Sequence, residues 1–334
     1  MDDDRALPAF TVFTITYQRT AELGRLFASL CRQTCKDFVW LIVSDETNDA
    51  TQQAVDQWRG QADFDICYVE LAHGGKTHAM REGFRHVRTP LMIDIDDDDE
   101  LVPHCVAVFK EAWQAVERQG RADIGMINAL SVDDEGRVVG CVAAQSGCED
   151  SDYITMEWTR GCAAEYIISR RTATVADAAL FDDRGTWLAD RVVNVRESVY
   201  WNRLARRWNT RYLYQPLRIY HTAGASRLSA QRFDRQKCVD YAFSNYVMLR
   251  ELRGRWHENR RTTLKYMAEW VYCVLRAPSI LVSLFARRAT QMPCGVILSK
   301  NTDITDAHGW VFSRILYSCS AAYCLVFDAP RRDG

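Results

Sequence analysis

The stretch that decides the fold is LMIDIDDDDEL, residues 91–101, in which a short apolar run ends in four consecutive aspartates. The apolar half is typical of a strand covered on both faces, where each unpaired carboxylate would cost several kcal/mol. The run Asp96–Asp99 must therefore lie beyond the strand and face solvent or a cation. An acidic run alone is more often a solvated loop, so its meaning depends on the elements around it.

Strands and helices alternate before this stretch. The apolar patterns predict strands at 10–17, 38–43, 66–70 and 91–95 and helices at 20–33, 51–58 and 76–86. Such alternation indicates a mostly parallel α/β sheet flanked by helices, in which ligands bind beyond the carboxyl ends of the strands. Thr16, Asp45 and the aspartate run all fall at such ends. This position favours a ligand site over a solvated loop.

Composition narrows the function classes. The chain has 334 residues, of which 48% are hydrophobic and 26% charged, enough for one large domain and an appendage. The formal net charge of -2 argues against a nucleic-acid partner. The 12 cysteines include no CxxC pair, so they are expected to be reduced thiols. The acidic amino terminus lacks a secretory pattern, and a cytoplasmic location is expected.

The second half of the chain has a different pattern. From about residue 123 to 137 it predicts short strands and turns, with Asp133–Gly136 as a hairpin connection, and from residue 229 it becomes helical and locally cationic. The segments Leu264–Phe285 and Trp310–Phe327 are apolar but carry charges, and neither suits a membrane span. This pattern is compatible with helices that pack on the amino-terminal domain or on another subunit, and equally with helices that rest on the inner face of a membrane. The oligomeric state stays open.

Four motifs in order resemble those of glycosyltransferase family 2, over about residues 8 to 228. They are TITYQR (14–19), which resembles TPTYNR; QTCKDFVWLIVSDETND (33–49), which is similar to QTxxDFEWLIVDDGSTD; GGKTHA (74–79), which resembles GGKHxA; and DDDDEL (96–101), which resembles DSDDEL. The resemblance implies a GT-A type, Rossmann-like fold and an inverting transferase that uses a nucleotide-sugar. Residues 8–100 would form the nucleotide-binding half, 101–228 a mixed acceptor half, and 229–334 a helical extension.

By this resemblance the early motifs bind the donor. Asp45 would accept the uracil imide N–H, which favours UDP over purine donors. Asp96 is expected near the ribose and Asp98 on a divalent cation, Mn²⁺ or Mg²⁺, with Asp96 as its possible second ligand. Asp97 and Asp99 offer the same chemistry one residue along, so the register stays open. The other residues expected to line the nucleotide pocket are Thr14, Thr16, Tyr17, Arg19, Lys76, Arg81 and Asp97.

A later motif implies the catalytic base. Residues 196–205, RESVYWNRLA, resemble an ESLLWNRIA element, in which Glu197 would take the proton of the acceptor hydroxyl. Asp190 is the reserve candidate. His221 follows PLRIY, where many GT-A enzymes carry a histidine that completes the metal site. Three tryptophans could stack on an acceptor sugar or form plain core; they are Trp158, Trp187 and Trp201.

The expected function is transfer of a sugar from a UDP-sugar to a hydroxyl of a glycan or lipid-linked glycan, in the synthesis of a bacterial cell-envelope polysaccharide. Three departures from the motifs leave open a non-catalytic nucleotide-sugar-binding protein on the same fold; they are Ile15, Ser44 and Arg81. A nucleotidyltransferase is a second alternative. It would require a Gly-rich phosphate loop, and residues 10–25 contain only Gly24.

Overall fold

The computed structural model describes residues 7–47, 49–144, 146–177, 192–221 and 234–277. The strands are β1 (Phe10–Thr16), β2 (Phe38–Ser44), β3 (Asp65–Glu70), β4 (Leu91–Asp94), β5 (Glu100–Leu101), β6 (Ile124–Val132), β7 (Cys148–Ser151), β8 (Tyr166–Arg171) and β9 (Asn209–Ile219). The α-helices are α1 (Thr20–Cys31), α2 (Asp49–Arg59), α3 (Lys76–Gly83), α4 (Cys105–Arg118), α5 (Ala173–Asp177), α6 (Glu197–Leu204), α7 (Arg235–Glu251) and α8 (Arg260–Arg276). The described strands form one sheet of order β3-β2-β1-β4-β8-β6-β9-β5, and β7 pairs with β9.

The amino-terminal half of the sheet is parallel, as the alternating pattern predicts. β1 pairs in parallel with β2 and β4, and β2 pairs in parallel with β3. The apolar face of α1 is buried in the core beside these strands; it consists of Leu23, Leu26, Phe27 and Leu30. Each such side chain contributes roughly 2 kcal/mol when fully buried. Because the four strands run the same way, their carboxyl ends meet at one edge of the sheet.

The other half of the sheet is mixed, which confirms the α/β class with a mixed second half. β8 runs antiparallel between β4 and β6, and β6 pairs in parallel with β9. The short strands expected from residue 123 are wrong: the chain forms one long strand there, β6. Nearly all residues of β6 are buried. The predicted hairpin connection after it is confirmed: Gly136 lies at φ 77° and donates its N–H to the carbonyl of Asp133 at 2.9 Å.

The helix predicted over residues 76–86 ends earlier than expected. α3 stops at Gly83, and a 3₁₀ turn, Phe84–His86, follows it. Gly83 packs directly on the sheet, since an added Cβ would lie 2.7 Å from Val43 and 2.8 Å from Phe13. The close approach fixes α3 against β1 and β2, and it thereby fixes the loop at the amino-terminal end of α3 above the strand ends.

The two carboxyl-terminal described helices pack into the rest of the protein. α7 and α8 share one apolar core with Val199 of α6 and with Trp158. The indole N–H of Trp158 donates to the carbonyl of Arg255 at 3.2 Å, so this tryptophan is a core residue rather than a sugar platform. The domain boundary at residue 228 stays a prediction. None of the helices in the described ranges is long and apolar enough to cross a bilayer. Trp187 and the segment Trp310–Phe327 lie outside the described residues.

Candidate active site

The loops that follow β1 and β2 form one connected rim. The N–H of Asp45 donates to the carbonyl of Thr16 at 2.9 Å, which ties the two strand ends together. Gln18, in the turn after β1, adopts the left-handed φ of 55°, and its N–H donates to Glu46 Oε1 at 2.7 Å. Polar groups of both loops are thereby held at the carboxyl edge of the sheet, where the predicted nucleotide residues fall.

Asp45 is buried and organises the loop before α3. Its Oδ1 accepts the N–H of Gly74 and its Oδ2 accepts the N–H of Gly75, both at 2.9 Å. Gly75 lies at φ 87°, a conformation that favours glycine. Each carboxylate oxygen can accept two hydrogen bonds, so these contacts leave capacity for a further donor. The nucleobase contact of Asp45 stays a prediction.

Tyr17 and His73 lie beside Asp45. Their rings are stacked, with centroids 4.5 Å apart and an angle of 25° between the planes. Nδ1 of His73 lies 2.9 Å from Asp45 Oδ2 and 3.1 Å from the main-chain oxygen of Asp45. Sequence reasoning missed His73. The available signal was its position directly before the Gly74-Gly75 turn.

The four aspartates alternate between partly exposed and buried positions. The side chains of Asp96 and Asp98 are 47% and 17% exposed, whereas those of Asp97 and Asp99 are 6% and 0% exposed. Two carboxylates are therefore partly open to solvent after the strand, and two are buried. This alternation favours Asp96 and Asp98 as the cation-facing pair over the register one residue along.

Arginines accompany the aspartate run. Arg19 Nη1 lies 3.0 Å from Asp97 Oδ1 and 2.9 Å from Asp98 Oδ2, and Arg218 Nη1 lies 3.5 Å from Asp99 Oδ2. Burial raises the pKa of Asp97 to about 6 and that of Asp99 to about 7, although the arginines oppose the shift. Burial thus moves the ionisation of both carboxyls toward neutral pH, which suits residues inside the protein rather than cation ligands.

Lys76 joins the aspartate run to the expected base. Its Nζ lies 2.9 Å from Asp96 Oδ1 and 2.7 Å from Glu197 Oε1. Burial lowers the pKa of Lys76, but the charges of Asp96 and Glu197 outweigh burial and raise that pKa well above its usual range. The ammonium group therefore stays charged between two carboxylates. The structure brings these three predicted residues together in one cleft.

Glu197 is positioned by the loop that precedes it in the chain. It is the first residue of α6, and the loop before it docks on the start of α3. There the N–H of Lys76 donates to Asn194 Oδ1 at 3.0 Å, and the N–H of Val195 donates to Thr77 Oγ1 at 2.8 Å. The separation of Glu197 from Asp96 is thus fixed by contacts between α3 and this loop.

Arg196 fixes the same loop to the carboxyl-terminal helices. Its N–H donates to Ser244 Oγ at 3.1 Å, and its guanidinium donates to Asn245 Oδ1 and Glu269 Oε2, both at 3.2 Å. The guanidinium also lies over the ring of Tyr241, 4.9 Å from its centroid. Sequence reasoning gave Arg196 no role of its own. Its partners lie on α7 and α8, where no motif was recognised.

The cleft between Asp96 and Glu197 is lined by charged and apolar side chains. The charged ones are Lys76, Asp94, Asp96, Glu197 and Arg218. The apolar lining consists of Phe13, Ile15, Met80, Ile95, Ile168 and Trp201. Because Trp201 lines the cleft, it is the predicted stacking tryptophan whose position still suits a sugar face. Such a cleft combines an apolar surface with groups that can hold a cation and a proton.

Other predicted residues lie away from this cleft or outside the described chain. Thr14 is buried, and its hydroxyl accepts the indole N–H of Trp40 at 3.1 Å, so it supports the core. Arg81 is exposed near the end of α3 and pairs with Glu82 at 3.1 Å. Asp190 lies outside the described residues.

His221 lies next to the aspartate run but does not reach Asp98 with its ring. Its main-chain N–H donates to Asp99 Oδ1 at 3.2 Å. Its Nε2 lies 3.0 Å from Glu100 Oε1 and its Nδ1 lies 2.5 Å from Asp134 Oδ1. Both ring nitrogens thus face carboxylates outside the Asp96–Asp99 run. Its role as a metal ligand stays a prediction that this geometry does not favour.

The amino-terminal part of the chain is similar to known proteins. Residues 11–121 match the family model described as Glycosyl transferase family 2. A teichoic acid poly(glycerol phosphate) polymerase of Staphylococcus epidermidis is 26% identical over 104 residues, which are 31% of this chain and 14% of the polymerase. The matched region therefore spans only a small part of that relative.

Solved structures share the fold. The structure of S. aureus TarS 1-349 in complex with UDP-GlcNAc has a TM-score of 0.55 and 14% identity, and the match covers 79% of each chain. The complex of TarS 1-349 with UDP has a TM-score of 0.52 and 12% identity, over 89% of this chain and 97% of TarS 1-349. At these identities the likeness shows the fold.

Proposed function

Because residues 11–121 match the model of glycosyl transferase family 2, we propose that the chain transfers a sugar from a UDP-sugar to an acceptor hydroxyl, with inversion at the anomeric carbon. The observation that carries this proposal is the single cleft at the carboxyl edge of the parallel strands, where Lys76 bridges Asp96 and Glu197 at 2.9 and 2.7 Å. One side of the cleft carries groups suited to a nucleotide diphosphate. The other side carries a partly exposed carboxylate suited to accept a proton.

The donor side is proposed to bind UDP through Tyr17 and Asp45. Tyr17 offers an exposed aromatic face, and Asp45 offers a carboxylate that can accept a ring N–H. Uracil presents such an N–H between two carbonyl groups. That TarS 1-349 binds UDP and UDP-GlcNAc on the same fold supports a uridine donor here.

Asp96 and Asp98 are proposed to hold Mn²⁺ or Mg²⁺ together with the diphosphate. In the part of the chain that the structure describes, no group of three or more His, Cys, Asp or Glu side chains is arranged to hold a metal ion, so phosphate and water would supply the other ligands. That coordination is usual for Mg²⁺, which takes one or two carboxylates plus substrate phosphates. When bound, the cation would neutralise charge on the departing UDP. Arg19, beside Asp98, adds a fixed positive charge at the same place.

Glu197 is proposed as the general base. The acceptor oxygen attacks the anomeric carbon while its proton passes to Glu197, and the bond from that carbon to the phosphate oxygen breaks, its electron pair leaving with UDP. Lys76 holds the Glu197 carboxylate in place and keeps it apart from Asp96. One displacement inverts the anomeric carbon without a covalent intermediate. The acceptor, a glycan or lipid-linked glycan of the cell envelope, would enter beside Trp201.

The outer face of α8 supports peripheral contact with the cytoplasmic face of an anionic membrane. Exposed apolar side chains on this helix lie among cations; they are Leu264, Tyr272 and Leu275, with Arg261, Lys265 and Arg276. Such a mixture suits a helix lying in the headgroup region. Co-sedimentation of the full chain with phosphatidylglycerol vesicles at low salt tests it, and a Leu264→Glu, Leu275→Glu variant should lose the bound fraction. Equal binding of this variant would count against the contact.

Release of UDP from a panel of UDP-sugars, with Mn²⁺ or with EDTA, tests the reaction. We expect metal-dependent release that Asp98→Ala abolishes. Asp56→Ala is the matched control, because Asp56 is an exposed aspartate that also pairs with an arginine. Undiminished release by Asp98→Ala would end the metal proposal. Tight UDP-sugar binding without release across an acceptor panel would favour the non-catalytic alternative.

A further inference from the structure

The imidazole ring of His73 contacts both Asp45 and Tyr17. Nδ1 of His73 lies 2.9 Å from Asp45 Oδ2, and its ring stacks on Tyr17 with a centroid distance of 4.5 Å. The His73 side chain is 56% exposed, whereas that of Asp45 is 4% exposed. The backbone after His73 is held by the Gly74 and Gly75 N–H bonds to Asp45. The imidazole can therefore rotate outward while the loop stays in place.

A nucleobase bound by Tyr17 and Asp45 would make the same two kinds of contact. Its flat face would stack on the tyrosine, and its ring N–H would donate to the carboxylate. Two planar rings cannot share one face of Tyr17 and one edge of Asp45. We propose that the imidazole of His73 competes with the nucleobase of the donor for these two partners and must turn outward before the donor binds. This inference rests on the proposed function, because it takes Tyr17 and Asp45 as nucleobase contacts.

The competition sets the affinity of the protein for its nucleotide. A donor that displaces His73 must replace one hydrogen bond and one ring contact before it gains anything from the pocket. Because the His73 side chain is 56% exposed, solvent screens its hydrogen bond to Asp45 and weakens its ring contact, so we expect the displacement to lower UDP affinity by about three- to tenfold. His73 thus weakens the binding of UDP as well as that of UDP-sugar, which favours departure of the product.

Titration calorimetry of UDP with Mn²⁺ into the full chain tests this inference. His73→Ala should lower the dissociation constant for UDP by about three- to tenfold, since the competing ring is gone. His86→Ala is the matched control, because His86 is an exposed histidine in the turn after α3, and it should leave the constant unchanged. His73→Asn, which keeps an N–H donor but loses the aromatic ring, should give a smaller gain than His73→Ala.

The outcomes separate the inference from the proposed function. Unchanged or weaker UDP binding in His73→Ala, with the melting temperature kept, overturns the competition, because the ring would then be neutral or a direct base contact. The proposed function survives that result. If neither the wild type nor the variant binds UDP while both stay folded, the proposed function fails and the inference fails with it.

Discussion

The nucleotide side of the candidate site, around Asp45, and its base side, around Glu197, are held by different kinds of contact. On the nucleotide side, Asp45 fixes Gly74 and Gly75 through main-chain N–H groups about 30 residues along the chain. On the base side, the loop before Glu197 is fixed by side chains much farther away, and its contact with Lys76 spans 118 residues. The nucleotide side thus depends on contacts between loops at neighbouring strand ends. The base side depends on tertiary contacts between segments that are distant in the sequence.

This difference indicates which changes should affect each side. The nucleotide side lies within residues 11–121, which match the family, and it needs little beyond the parallel sheet. The base side depends on α7 and α8, because Arg196 reaches Ser244, Asn245 and Glu269 on those helices. Changes on the first side should therefore alter donor affinity. Changes on the second should alter turnover.

The largest effect is expected from Glu197→Gln on the base side. The amide keeps the size of the side chain and an oxygen for Lys76, but it cannot take the acceptor proton. Turnover at saturating donor should fall roughly 10²–10⁴-fold, the usual contribution of a general base. The dissociation constant for UDP, measured by calorimetry, should change little. Wild-type turnover in this variant would remove Glu197 from the mechanism.

The next largest effect is expected from Tyr17→Ala on the nucleotide side. Loss of a stacking face should raise the donor KM about five- to tenfold, less than a full stacking contribution, because the change also loosens the competing His73. Turnover at saturating donor should stay near the wild-type value. Tyr272→Ala is the matched control, since the two tyrosines are 42% and 44% exposed. A fall in turnover with unchanged donor KM would contradict the assignment of Tyr17 to donor binding.

A smaller effect is expected from Arg196→Met, which acts on Glu197 through the loop. The change removes hydrogen bonds to Asn245 and Glu269, so the unfolding free energy should fall by about 1–3 kcal/mol and turnover by roughly threefold, with donor KM unchanged. Arg203→Met is the control, because Arg203 joins α6 to Glu251 on α7 from the other end of α6. It should lose similar stability while keeping turnover. Equal loss of turnover in both variants would mean that Arg196 has no positioning role.

The smallest effect is expected from Asp240→Asn. Asp240 Oδ1 accepts the N–H of Val193 and the side-chain N–H of Gln236, both at 3.0 Å, and burial raises the pKa of Asp240. A raised native pKa means that the unfolding free energy falls as pH rises from the ordinary carboxyl pKa to the raised value. The asparagine keeps the acceptor oxygen and removes this decline, so the melting temperature of the variant should vary less than that of the wild type as pH rises above the ordinary carboxyl pKa of about 4. Asp240→Ala, which loses the acceptor, should be destabilised by about 1–3 kcal/mol. A decline as steep as that of the wild type in Asp240→Asn would contradict this explanation.

The parallel half of the fold could be predicted because its signals are local. Apolar strands end at Thr16, Ser44 and Asp94, within a residue or so of their predicted ends, and the motif order carries the nucleotide residues. The register of the aspartate run could not be predicted, since adjacent carboxylates have the same chemistry and only burial distinguishes Asp96 and Asp98 from their neighbours.

Side-chain partners were harder to predict than strand ends. The contact of His73 with Tyr17 depends on how two loops meet in space, and the contact of Arg196 with Glu269 depends on how α8 packs. The ring of His221 instead faces Glu100 and Asp134, because β5 and β9 are paired there. Such contacts arise from tertiary packing and leave no periodic signal in the sequence.

The central claim is that one site binds the nucleotide on one side and carries the general base on the other. A crystal structure of the full chain with UDP and Mn²⁺ tests it most directly, because it locates both sides of the site at once. Our account predicts the uracil ring on Tyr17 with its N3–H directed at Asp45, His73 turned outward, the cation on Asp98 and the diphosphate between Tyr17 and Glu197. A nucleotide bound elsewhere, or a cation away from Asp96 and Asp98, would contradict the account.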